Sequence, residues 1–169
     1  MEVINDNQTK VRYAGFWLRF IAYLIDGIIL QIAGFIISLP FIGAIVFNAF
    51  RIAREDSFTE QSMMGIAGIL GVIFLLSLIT VVMGWLYFSL MEASKHQGTL
   101  GKMALGLQVT DMNGNRISFG RATGRYFAKI ISGMILMIGY ILAGLTEKKQ
   151  ALHDLITNCL VIRKPAQAV

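Results

Sequence analysis

Asp26 interrupts an apolar run of helix length, Phe20 to Leu30, and Arg19 precedes it by seven residues. A carboxylate at that depth in lipid costs about 2.5 to 3.5 kcal/mol on insertion scales, so it requires either a partner or a task. The chemistry open to it is proton exchange: a buried carboxyl that gains and loses a proton can trade it for Na⁺. Seven residues place Arg19 and Asp26 about 20° apart around a helix and about 10.5 Å apart along it. They share a face, but the distance is long for a direct pair, and Arg19 leans toward the N-terminus, away from Asp26. Hydroxyls at Ser77, Thr80 and Tyr87 recur along one face of a second apolar segment, where they either serve an ion path or bond neighbouring carbonyls. Arg121, Arg125 and Lys129 follow at i, i+4 and i+8, a basic stripe suited to lipid phosphate.

The elements that carry these residues are membrane helices. The 169-residue chain is 56% hydrophobic and 15% charged, with a mean hydropathy of +0.65, a composition too apolar for a soluble monomer. No charge occurs from Gln61 to Met91, which more than covers a hydrocarbon core of about 30 Å. Two full spans are expected, over residues 16–39 and 63–91, the first ending or kinking at Pro40. Phe41 to Phe50, followed by Arg51 and Arg54, fits an interfacial helix or a bent end of the first span. Glu2 and Asp6 before a long apolar run argue against a signal peptide, so the first helix is expected to stay as an anchor. Trp17 and Tyr13, with Trp85 and Tyr87, fit an aromatic interface belt.

A third apolar segment, 126–146, is short for a crossing and is expected to be re-entrant, with a full span as the alternative. The overall fold class is then an all-α integral membrane protein with a small cytoplasmic β-hairpin over 107–118. Asn113-Gly114 carries the hairpin signal, because both turn positions favour positive φ. Ser118 can cap the helix that follows. The tail Asn158 to Arg163 is β-prone and can pair with Leu107 to Thr110, provided both lie on one side of the membrane. Basic residues give the same answer. With a re-entrant third segment, only Arg51 and Arg54 lie opposite the other thirteen of the fifteen Lys and Arg, and the positive-inside rule puts the N-terminus in the cytoplasm.

Several chemistries lack support. Gly98-Thr99-Leu100-Gly101-Lys102 resembles a phosphate loop only loosely, since its glycines are too close and Met103 occupies the magnesium-binding hydroxyl position. Cys159, His96 and His153 lack metal-ligand spacing, and no nucleophile motif is present, so no metal, no cofactor, no enzyme activity and no nucleic-acid partner is expected.

Ala14-Gly15-Phe16-Trp17-Leu18-Arg19 with Asp26, Gly98 to Asp111, and Gln150-Ala151-Leu152-His153-Asp154 occur in this order. The chain resembles the RDD family of bacterial membrane proteins, whose name-giving residues match Arg19, Asp26 and Asp154. The resemblance implies a single domain in the bacterial cell membrane and a transport role, with sodium/proton exchange implicated for some members. On that basis Asp26 is the candidate proton or cation site, and Arg19 with Asp154 orient or gate it. Asp154 is then the expected partner of Arg19, and hydroxyls, backbone or a cation are the partners of Asp26. Two or three spans cannot enclose a polar path, so transport would need a homo-oligomer. The competing expectation is an accessory protein that binds lipid or a partner, with Asp26 fixing helix packing.

Overall fold

A computed structural model describes residues 12–55, 57–134 and 138–164. Two long helices dominate them, α1 (Phe16–Ala53) and α2 (Glu60–Glu92), both apolar and long enough to cross a membrane. At 1.5 Å per residue they measure about 57 and 50 Å, well beyond the hydrocarbon core of roughly 30 Å. α1 continues past Pro40 to Ala53, so the expected helix end at residue 39 and a separate helix over 41–50 are both corrected. Pro40 removes the ladder donor to the Ile36 carbonyl, and in the turn before it Ser38 donates to the Phe35 carbonyl at 2.8 Å.

The fold divides into two compact units, Gly27–Leu86 and the residues on either side of it. Within Gly27–Leu86 the turn between the helices is tied by Glu55, which accepts from the Ser62 and Thr59 hydroxyls. Gly65 faces Ile52 closely, whereas Gly68 and Gly71 meet no neighbour. Phe47 and Phe74 are 67% and 72% exposed, surface that an aqueous solvent would penalise and lipid would not.

The flanking unit contains α3 (Leu100–Ala104), β1 (Leu107–Asp111), α4 (Phe119–Met134), α5 (Ile138–Leu145), α6 (Leu152–Ile156) and β2 (Cys159–Arg163). Its core joins Ala14, Leu107, Val109, Ile117, Ala122, Cys159 and Val161. β1 and β2 pair antiparallel with Val109 opposite Val161, the pairing anticipated for the tail. Two strands alone are marginal. The segment before α1 adds a third lane, with Ala14 N–H donating to Val161 O and Arg163 N–H to Arg12 O, both at 2.8 Å.

The hairpin over 107–118 is corrected. Its turn forms: Gly114 has φ +84°, and the Asp111 carboxylate accepts from the Asn113 and Asn115 amides at 2.9 and 2.8 Å. No return strand follows it, because Ser118 caps α4 by accepting from Arg121 N–H at 3.3 Å. The third apolar segment is shared between α4 and α5, with residues 135–137 outside those described. α5 packs against both α4 and α6, which a single crossing helix would not permit.

Candidate functional site

Asp26 is fully buried, and protein donors occupy both of its oxygens. Tyr87 Oη and Gly101 N–H donate to Oδ1 at 2.7 and 2.8 Å, and Thr99 Oγ1 donates to Oδ2 at 2.5 Å. Tyr87 in turn accepts the Leu100 amide at 3.1 Å. The Gly98 to Lys102 motif is therefore a clamp on the helix that bears Asp26. Gly101 allows this approach: a Cβ there would overlap the Ala22 carbonyl oxygen and stand 3.0 Å from the Asp26 carboxyl group. Of the expected polar face, Tyr87 reaches Asp26. Ser77 and Thr80 are exposed and donate to their own helix, to Ile73 O and Leu76 O at 2.8 and 2.9 Å, which corrects their placement along a shared inward path.

A second group surrounds Glu92 and Asp154. The Glu92 carboxylate meets Lys102 Nζ at 2.5 Å, Arg125 Nη1 at 2.7 Å and Lys129 Nζ at 3.4 Å. Asp154 receives Arg125 through Nε at 2.8 Å and Nη2 at 2.5 Å, and Arg19 Nη1 on its other oxygen. It also accepts the Ala151 amide at 3.1 Å, so it caps α6 while bridging two guanidinium groups. Arg19 completes its contacts on the Ala14 and Lys149 carbonyls. Lys129 lies over the Phe88 ring, 4.5 Å from its centroid.

The basic stripe is thereby divided. Arg121 is exposed, but Arg125 is buried and points inward, and Lys129 joins it at Glu92. A lipid-phosphate role for Arg125 is corrected: its stem faces the α2 and α6 side of α4, where two carboxylates hold its head.

Burial and charge shape the protonation of this group. Burial works against the Asp154 carboxylate, but Arg125 and Arg19 outweigh it and hold Asp154 below its ordinary range. Burial likewise opposes the Arg125 charge, and Asp154 and Glu92 overcome it, so Arg125 stays cationic. At Lys102 burial prevails over Glu92 and draws the ammonium down to about 7. At His153 burial lowers the ring to about 2, so the imidazole is neutral.

These side chains border a partly open cavity of about 260 Å³, lined by the basic Arg19, Lys102, Arg125 and Lys129 and by the aromatic Phe16, Phe20, Tyr23 and Phe88. Among the described residues no group of His, Cys, Asp and Glu is arranged to hold a metal ion. Sequence reasoning missed Glu92, Lys102 and Thr99. Glu92 was signalled by being the first charge after a run of uncharged residues, and the other two by lying in the Gly98 to Lys102 motif.

Residues 13–158 match the RDD family. The chain belongs to the RDD family. Arg19, Asp26 and Asp154, the three residues on which the resemblance was drawn, divide in the fold between two sites, Asp26 in the clamp and the other two in the ion network. The chain is 45% identical over 152 residues to the uncharacterized protein YxaI of Bacillus subtilis (strain 168), a match covering 89% of this chain and 97% of YxaI. It is 28% identical over 158 residues to the uncharacterized membrane protein YteJ of the same organism, covering 90% of this chain and 82% of YteJ. No solved structure matches. Two helices fit to span, in an RDD chain with a relative named as a membrane protein, identify a membrane protein in contact with the lipid bilayer.

Proposed function

We propose that this RDD protein is a non-catalytic, non-transporting binding module of the bacterial cytoplasmic membrane, with Asp26 as a structural acceptor and the cation-lined cavity as its working site. The observation that carries this is the state of Asp26. Three protein donors take both oxygens and fill three of a carboxylate's roughly four acceptor positions, so Na⁺ would find one lone pair on a fully buried Oδ2 unless the clamp opens. Its N-terminus and tail share the cytoplasmic side, supported by the β1–β2 pairing and by thirteen basic residues against Arg51 and Arg54.

Reconstitution in proteoliposomes with an imposed pH gradient and Na⁺, Li⁺ or K⁺ tests this. Native protein and Asp26→Asn are expected to give no cation-dependent dissipation of the gradient. A second reading, proton-coupled monovalent cation exchange by a homo-oligomer, draws on Lys102, whose ammonium is pulled to about 7 by burial in the same loop that clamps Asp26. Dissipation that depends on Na⁺ and disappears in Asp26→Asn would establish exchange and displace the binding module.

A further inference from the structure

Four basic side chains, Arg19, Lys102, Arg125 and Lys129, meet two carboxylates, Glu92 and Asp154, around the cavity. Asp26, at the cavity edge, is already committed to neutral donors. Two carboxylates are thus shared among four cationic heads, and an anion of matching shape would offset the desolvation that burial imposes on them.

Exposure indicates which of them an incoming anion would meet. Side chains of Arg19, Lys102 and Lys129 retain 12%, 9% and 17% of their surface, against 2% for Arg125. The apolar part of the lining belongs largely to α1: Phe20 and Tyr23 line the cavity and are 41% and 60% exposed. Those rings carry the lining of the cavity out to the surface of an apolar membrane helix. An acidic peptide would find no such path, whereas an amphiphile from the bilayer would have its chain on the rings and its head at the charges. A volume of about 260 Å³ exceeds the roughly 150 Å³ that encloses one benzene but cannot enclose a two-chain lipid. It suits a phosphate with the first part of one chain.

We propose that the cavity binds the phosphate of an anionic phospholipid, with Arg19, Lys102 and Lys129 at the phosphate and Phe20, Tyr23 and Phe88 along the start of an acyl chain. This rests on the cavity being the working site. It fails independently of the flux assay, because a non-transporting module that binds something else would pass that assay and fail the following one.

Full-length protein in neutral detergent is titrated with short-chain phosphatidylglycerol, phosphatidylcholine or inorganic phosphate, and bound lipid is read by native mass spectrometry beside thermal stabilisation. Phosphatidylglycerol is expected to bind and stabilise selectively. Lys129→Gln should weaken it by about tenfold, the scale of one charge-assisted contact. Arg121→Gln, exposed and outside the cavity, should bind as the native protein does. If Lys129→Gln does not fold, Phe20→Ala tests the chain wall, with several-fold weaker binding expected. Equal binding of the two lipids would overturn the proposal, as would equal losses in Lys129→Gln and Arg121→Gln. Full stabilisation by inorganic phosphate alone would overturn the lipid as its source.

Discussion

Two buried carboxylate sites in one small unit are stabilised in opposite ways. Asp26 is held by a phenol, a hydroxyl and a backbone amide, all neutral. Asp154 and Glu92 are held by guanidinium and ammonium groups. Neutral donors satisfy a carboxylate by geometry, so the Asp26 clamp depends on how closely the Gly98 to Lys102 loop approaches α1. Cations satisfy it by charge, which acts over a greater range and lets one carboxylate serve several partners. The clamp is thus a closed local joint, while the network is an electrostatic reservoir that can accommodate another anion.

This contrast is broken most severely at Asp154. Replacing it by Asn should destabilise by about 3 to 5 kcal/mol, because Arg125 keeps its burial and loses a bidentate partner. Chemical unfolding in detergent measures it. A change as small as that of an exposed ion pair would mean the network is more hydrated than its burial indicates.

Asp26→Asn should cost less, about 1 to 3 kcal/mol, by turning an NH₂ group toward a donor that needs an acceptor. Gly101→Ala attacks the same joint from the other side, and the blocked approach should cost about 1 to 3 kcal/mol. Their combined effect should fall short of additive, since either change alone opens the clamp. Additivity would separate the close approach from the hydrogen bonds. Thr99→Val removes one donor at nearly constant shape and should cost about 1.5 kcal/mol.

The two sites also differ in how legible they were. Asp26 and Arg19 stand out because charge in an apolar run is rare, and Asp154 came from the motif order. The pairing of β1 with β2 was readable from two β-prone segments confined to one side of the membrane. The hairpin was not, since Asn113-Gly114 encodes a turn but not the partner strand, and β2 lies far along the chain. Helical periodicity put Arg125 and Lys129 together, which meet at Glu92, but it also included Arg121, which is exposed, and could not identify the neighbour. In sequence nothing distinguishes Glu92 from a solvated carboxylate at a helix end, because only tertiary packing buries it among three cations.

The dependence of stability on pH is the effect most specific to the network. Lys102 ordinarily titrates at 10.5, and burial, only partly countered by Glu92, lowers it to about 7. Between those values the unfolded chain binds more protons at this site than the folded one, so its contribution to stability rises as pH increases through that window. Asp154 behaves oppositely: its carboxyl is held below 3.8, so its contribution is present above that value and declines as acid protonates the folded carboxylate. Unfolding measured from about 7 upward should therefore show a stabilising slope that Lys102→Met reduces, Lys129, also lowered by burial, supplying the remainder, while the acid loss persists in that variant. Asp26→Asn should retain the alkaline slope, because its clamp is built from neutral donors. Should the slope vanish in Asp26→Asn instead, Lys102 would be titrating through the position of its loop rather than through the charges around Glu92, and the two sites would be one.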